Sequence, residues 1–340
     1  MTLPNDMTAI AISAPGGPDV LIPVRRPLPE LAPNDVLIRV AAAGVNGPDL
    51  AQRRGHYAPP PGASPLPGLE VAGEIVALGQ AVDSWRVGDR VMALTNGGGY
   101  AEYVAVPQGQ VLPIPGGWSM VEAASLPETW FTVTQTLVMR AGLEPGMSVL
   151  VHGAAGGIGG ATIQICAILG ARAIALVSTE DKADYCKTLG AAAAINRTSE
   201  NIAERVLELT ESRGADRVLD LVGGALTAVN IEASARGGHI VQVSTLEGAT
   251  ATVSLRAMMA KDLTLSGSTL RPQSAATKAA IAARIRADFL PALSAPGWTK
   301  PDLATYRLDQ ARDAHAELES RGHRGKLVLV TAFGAGETKS

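Results

Sequence analysis

The sequence predicts an α/β protein of two parts, a β-rich domain and a doubly wound parallel sheet. Three observations predict it. Short β-type runs with turn punctuation fill the first third of the chain. From about residue 125, apolar strands alternate with helical segments of roughly 10–15 residues. Within that second pattern, a glycine-rich turn joins a buried strand to an apolar helix.

Composition sets the frame for these elements. The chain has 340 residues, 46 % hydrophobic and 18 % charged, enough apolar material for two cores and too much for a disordered chain. Twenty-nine Lys and Arg stand against 32 Asp and Glu, a net charge of −3, so no basic field favours nucleic acid or an anionic membrane. Two cysteines, Cys166 and Cys186, cannot build a disulfide framework or a four-thiolate metal site. The amino terminus lacks a basic segment followed by an apolar one, so a cytoplasmic location is expected. Residues 145–171 carry no Lys, Arg, Asp or Glu, but five glycines at 153, 156, 157, 159 and 160 break any bilayer-spanning helix.

In the first third, Val36–Gly44, Leu69–Gly79, Asp89–Leu94 and Tyr100–Val106 read as strands. The segment Gly55–Gly68, rich in proline, reads as a loop, and a long loop inside a compact domain is often functional. Later strands are Ser148–His152, Arg172–Val177, Ala192–Ile195, Asp216–Val222, His239–Val243 and Gly325–Val330. Helices are expected at Ile158–Leu169, Lys182–Leu189 and Asn201–Ser212. Ala311–Arg324 reads as a charged, solvated helical tail carrying His315 and His323, and residues 334–340 as a frayed end. Cys166 and Cys186 fall on helices with no thiol-activating motif.

The sharpest signal is Ala154-Ala155-Gly156-Gly157-Ile158-Gly159, which matches a G-x-G-x-x-G dinucleotide turn with alanine in first place. A Cβ at position 156 would obstruct a pyrophosphate, and Gly159 lets the helix approach the strand. The competing structural reading is tight strand–helix packing alone. After the next strand come Ser178, Thr179 and Lys182, with Arg197 after the third, rather than an acid immediately at the strand end. Hydroxyls and cations suit a ribose 2′-phosphate, so NADPH is expected, with Glu180 and Asp181 facing solvent as first-turn helix acids. Lys182 and Arg197 also read as ordinary surface charges.

Several blocks then resemble one family. Val40–Leu50, Arg54–Gly62, Gly68–Val76, Val87–Val91, Gly99–Val104 and Ala123–Thr132 follow in order the catalytic-domain signature of the medium-chain dehydrogenase/reductases. The chain resembles their zinc-independent quinone oxidoreductase branch, and the Pro59–Pro61 run and Pro127-Glu-Thr-Trp130 look closest to its p53-inducible quinone oxidoreductase subgroup. The resemblance implies a GroES-like catalytic domain at residues 1–125 and 272–340, and a Rossmann NADPH-binding domain at 126–271. Asn46, Leu69 and Glu128 match the positions that hold catalytic metal in zinc-dependent relatives, and leucine cannot ligate, so no metal is expected.

The resemblance also implies that Asn46 and Tyr57 are the polar, catalytic groups at the nicotinamide end, and that Thr132 lies under the nicotinamide. A Tyr57 packed on its proline loop, an Asn46 serving a turn and an unremarkable helical Thr132 are the structural alternatives. Further cofactor contacts implied are Val222, Gly223, Ser244, Thr245, Leu246, Thr269, Leu270 and Lys326. Gly156 replaces a serine to which the subgroup assigns a catalytic part, leaving water or a ribose hydroxyl to carry protons. The implied reaction is hydride transfer to a quinone or conjugated carbonyl. Alternatives are a 2-alkenal or enoyl-thioester reductase, and a non-catalytic NADPH-binding protein. The small-molecule substrate is the implied partner, together with a second copy of the chain paired through the β-type run Leu263–Ser266.

Overall fold

The computed structural model describes residues 3–337. They divide into two compact units: one runs to Phe131 and resumes over residues 271–298 and from Asp302 on, and the other holds residues 132–270 with 299–301.

The chain opens with an antiparallel hairpin, β1 (Asp6–Ile12) and β2 (Leu21–Pro27), which the sequence pattern did not announce. Then come β3 (Asp35–Val45), α1 (Gly47–Arg53), β4 (Glu70–Leu78), β5 (Arg90–Leu94), β6 (Tyr103–Pro107) and β7 (Val111–Pro113). Two short helices, α2 (Met120–Ala123) and α3 (Pro127–Val133), precede a π-helical stretch at Thr134–Arg140. Next follow β8 (Ser148–Val151), α4 (Gly157–Leu169), β9 (Arg172–Val177), α5 (Glu180–Thr188), β10 (Ala193–Asn196), α6 (Ile202–Leu209) and β11 (Ala215–Asp220). The run continues with α7 (Leu226–Ala233), β12 (Ser234–Gln242), α8 (Leu255–Ala260), β13 (Thr264–Gly267), α9 (Ala275–Asp288) and α10 (Leu290–Leu293). It closes with β14 (Leu303–Arg307), α11 (Ala311–Ser320), β15 (Lys326–Val330) and α12 (Ala332–Glu337).

In the second unit six parallel strands pair in the order β10-β9-β8-β11-β12-β13. Chain order reverses between β8 and β11, and open α/β sheets bind ligands outside the carboxyl ends of strands at such a switch point. The central strands β8 and β9 are nearly continuous buried apolar runs, and Leu150, Ile174, Leu176, Val218 and Ile240 contribute to the core. The charge-free stretch 145–171 is split between β8 and α4, and no helix among the described residues is long and apolar enough to cross a membrane.

In the first unit β14-β15-β3-β4-β5-β7 form one sheet, with β6 also paired to β3. Its core gathers Ile10, Val36, Ile38, Val40, Val71 and Leu329. The last strand, β15, enters between β14 and β3 and aligns Leu327 with Val45, so Lys326 lies beside the end of β3.

Two expectations for the tail are corrected. The segment from residue 334 is not frayed where it is described: α12 extends to Glu337, and Gly334 donates its N–H to Thr331 Oγ1. A Cβ at Gly334 would lie 2.1 Å from Ala41 O, so glycine permits close docking on β3. Residues 338–340 lie outside the described part. The expected solvated tail helix is α11, and it buries His315 completely.

Candidate functional site

In the parallel-sheet unit, β8 runs into a turn that ends at Gly156, the N-cap of α4. No side chain caps that helix, so its first N–H groups and positive dipole end are available to an anion. The two key glycines differ in cause. A Cβ on Gly159 would lie 2.4 Å from Ala154 Cα and 2.5 Å from its carbonyl oxygen, so strand–helix packing itself demands glycine. A Cβ on Gly156 would meet nothing nearer than Gly153 O at 3.4 Å. The room above Gly156 is thus not needed by the protein, as a close-lying pyrophosphate would require. Ala154 and Ala155 are buried and can offer such a ligand only backbone.

Across the switch point, Asp220 is fully buried and its Oδ1 accepts the N–H groups of Val222 and Gly223 at 2.6 and 3.0 Å. Asn230 Nδ2 donates to Asp220 Oδ2, and its Oδ1 accepts from His152 Nε2 at 2.7 Å. These contacts hold the Val222–Gly223 turn from behind. Leu246 and Glu247 donate backbone N–H groups to Leu221 O and Val222 O, which draws Ser244, Thr245 and Leu246 to the same end of the sheet. Ser178 and Thr179 follow β9, and Arg197 donates its N–H to Val177 O, so they adjoin at paired strand ends. Thr179 caps α5 by accepting from Lys182 N, and Arg197 Nη1 lies 3.9 Å from Glu247 Oε1. Thr269 is exposed after β13, whereas Leu270 is buried. Thr132 is half-buried in α3, with its carbonyl taken by Thr136 Oγ1. The adjoining π-helix hides Thr134 Oγ1 and Gln135 Oε1 without a partner, groups that no sequence pattern had marked.

In the β-rich unit, Asn46 stands at the join of β3 and α1 as the N-cap of α1. Its Oδ1 accepts from Lys326 Nζ at 2.6 Å, and its Nδ2 donates to Glu70 Oε1 at 2.8 Å. Lys326 Nζ also reaches Glu70 Oε1 at 2.5 Å, with both side chains buried. Glu70 Oε2 accepts the N–H of Glu128 at the start of α3. Gly44 permits this convergence, since a Cβ there would lie 2.0 Å from Glu70 Oε1. The polarity of both partners fixes the amide: oxygen faces the ammonium, nitrogen faces the carboxylate. One N–H of Asn46 has no acceptor among the described residues. The Lys326 ammonium is thus directed to Asn46 and Glu70 rather than to solvent.

Tyr57 is half-buried in the loop between α1 and β4. Its ring lies 5.6 Å from the Arg271 guanidinium carbon, and its oxygen faces the Arg271 backbone N–H. Burial, then the Glu128 carboxylate, raises its pKa, so the phenol stays protonated as a donor. His315, buried on α11, joins a chain of polar contacts. Arg53 Nη1 donates to His315 Nδ1, so Nε2 carries the proton and donates to Tyr100 Oη at 3.0 Å. Tyr100 in turn reaches Asp49 Oδ2, which accepts from Asn46 N. Burial, with Arg53 and Arg54 nearby, lowers the His315 pKa to about 3, so the ring is neutral at physiological pH.

Two family models match the chain: "Alcohol dehydrogenase GroES-like domain" over residues 32–116 and "Zinc-binding dehydrogenase" over residues 157–284. A quinone oxidoreductase of Lama guanicoe is 31 % identical over 330 residues, covering 95 % of this chain and 97 % of the relative. The chain belongs to the quinone oxidoreductase branch of the medium-chain dehydrogenase/reductases. It is an oxidoreductase of that family, with a GroES-like domain and a Rossmann domain of the NAD(P)-binding type. Among solved structures, a Pseudomonas syringae quinone oxidoreductase has 31 % identity and a TM-score of 0.82, over 95 % of this chain and 99 % of that one. A mycobacterial protein solved with NADPH has 30 % identity and a TM-score of 0.83, over 95 % and 100 %.

The zinc named by one family model does not fit these residues. Of the three matching positions, Leu69 has no donor atom, and the Lys326 ammonium already bonds Asn46 Oδ1 and Glu70 Oε1. A dinucleotide does fit, on the uncapped start of α4 and the room above Gly156.

The acid cluster makes stability depend on pH. Burial, with Glu70 and Asp49 nearby, raises Glu128 from 4.5 to about 8; burial raises Asp49 to about 6. An acid whose folded pKa lies above its unfolded value favours folding most at low pH, and that contribution is lost as pH rises through 8. Glu128→Gln should therefore unfold at higher urea than the parent at pH 9, by about 2–4 kcal/mol, with the gap closing at pH 5. A gap independent of pH would contradict an ionising Glu128.

Proposed function

We propose that this protein is an NADPH-dependent, metal-free reductase of quinones and related conjugated carbonyls. The observation that carries the reading is the Lys326 ammonium bonded to Asn46 and Glu70 where zinc-dependent relatives bind metal. A cation belonging to the chain itself fills the place of a Lewis acid but cannot open a coordination position to an alcohol. The acceptor must then already be electrophilic.

The start of α4 would hold the pyrophosphate, and Ser178, Thr179, Lys182 and Arg197 the 2′-phosphate. Val222, Gly223, Ser244, Thr245, Leu246 and Thr269 supply further contacts, with Thr132 toward the nicotinamide. The reduced coenzyme supplies a hydride from its C4 when bound. Asn46, through its remaining N–H, and Tyr57, through its phenol, donate to the acceptor oxygen where negative charge grows. With Gly156 in place of a serine, water or a ribose hydroxyl would deliver the proton. The exposed edge of β13, with Leu265 40 % exposed, would pair with a second copy, and the protein would work in the cytoplasm.

Steady-state oxidation of NADPH tests the reading, with 1,2-naphthoquinone and a 2-alkenal as acceptors. Turnover of the quinone on the order of 10 s⁻¹, unchanged after treatment with a chelator, is expected. Loss of activity with the chelator, or tight NADPH binding with no turnover of either acceptor, counts against it. A solution mass that stays at 34.9 kDa at every concentration counts against the dimer.

A further inference from the structure

The β-rich unit contains two buried cations that no carboxylate neutralises. Arg271 and Lys278 are 5 % and 3 % exposed. Arg271 donates from Nη1 to Gln52 Oε1 at 2.7 Å, and from Nε and Nη2 to Asn96 O at 3.3 and 3.0 Å. Lys278 donates from Nζ to Asn96 Oδ1 at 2.6 Å and to Arg271 O at 2.8 Å. Every acceptor is a neutral amide or carbonyl. Among the described residues, neither cation has a carboxylate within 4.0 Å.

The contrast lies within the same unit. Arg53 pairs with Glu319, and Lys326 with Glu70. Leaving a buried charge unpaired costs several kcal/mol by general estimates, so two adjacent ones are not retained for packing. Burial also lowers the pKa of both groups, desolvation outweighing the carboxylates farther off. Asp49 and, more weakly, Glu128 act on Arg271 through space, and Glu128 acts on Lys278, none of them at ion-pair distance. Two N–H groups of Arg271 and one of Lys278 remain after their protein bonds are counted, enough for a two-pronged grip on an anion. The half-buried ring of Tyr57 lies against the guanidinium, so the pair sits beside the group placed at the acceptor.

We propose that Arg271 and Lys278 form an anion subsite beside Tyr57, and that the acceptor this protein reduces carries a carboxylate, sulfonate or phosphate. The inference rests on the reading that Tyr57 faces the acceptor. It narrows the substrate class from quinones and enones to their anionic members. The anion would lie against the guanidinium and the ammonium, and the conjugated ring against the Tyr57 face.

The test compares 1,4-naphthoquinone with 1,4-naphthoquinone-2-sulfonate in the parent and in Lys278→Met. The parent should show a KM about tenfold lower for the sulfonate, and Lys278→Met should remove that preference by raising the sulfonate KM. In the parent alone, raising NaCl from about 50 to about 500 mM should narrow the gap between the two acceptors, a readout that survives misfolding of the variant. Equal KM values for both acceptors in the parent would overturn the subsite. So would an unchanged preference in the variant, or an effect of the variant on the NADPH KM alone, which would assign the cations to the coenzyme. Calorimetry of the sulfonate into coenzyme-free protein separates this from the reductase reading. Binding lost in Lys278→Met, with no turnover of any quinone, would leave the subsite standing and remove the reductase.

Discussion

Lys326→Met should lower folding stability by about 3–5 kcal/mol, the usual effect of stranding one member of a buried ion pair. Glu70 is fully buried, and without the ammonium its carboxylate keeps only the Asn46 amide and the Glu128 N–H. The paired variant Glu70→Gln with Lys326→Met removes both charges and should regain most of the loss. Urea unfolding of the three proteins measures this directly, and a Lys326→Met midpoint equal to the parent's would show that the pair does not hold the site. The double variant would still have lost the ammonium that turns Asn46 Oδ1 inward. Its kcat should therefore stay low even where its stability recovers, which separates positioning from folding.

The second large effect concerns the glycine turn, where two neighbouring substitutions should fail in opposite ways. Gly159→Ala puts a methyl group 2.4–2.5 Å from the backbone of Ala154, which cannot rotate aside. Helix α4 must then move off the turn, costing about 1–3 kcal/mol and most of the coenzyme affinity. Gly156→Ala meets only Gly153 O at 3.4 Å, and its φ of −87° suits alanine. It should melt within about 0.5 kcal/mol of the parent yet bind NADPH at least tenfold more weakly, because the methyl group projects where the proposed site would hold the phosphates. Thermal unfolding without ligand and fluorescence titration with NADPH give the two readouts. Unchanged affinity in Gly156→Ala would remove the phosphate from that position.

The parallel-sheet unit was legible because its signals are local. Fully covered strands such as Arg172–Val177 are unbroken apolar runs, and Gly159 betrays a close approach within six residues of the sequence. The β-rich site was legible only in part. Asn46 and Tyr57 could be singled out, but what surrounds them comes from far along the chain: Glu70 pairs with Lys326, 256 residues later, and Arg53 with His315, 262 residues later. No periodicity encodes such pairs. For that reason His315 read as a surface residue. Arg271 and Lys278 stayed unmarked because each looks like an ordinary surface cation until its burial is known. The β1–β2 hairpin escaped because its strands mix apolar with polar residues and are joined by a Pro- and Gly-rich link.

The placement of β15 between β14 and β3 also has a bearing on biosynthesis. Asn46 and Glu70 leave the ribosome long before Lys326 does, and an entire Rossmann unit is translated in between. At about 5–20 residues per second, the nascent amino-terminal sheet waits on the order of ten seconds or more with an open edge beside β3 and an acid with no counter-ion. During that interval the intervening unit can already fold on its own local pairings. The amino-terminal half would be the part that calls on chaperones, with closure coming only as the final strand inserts.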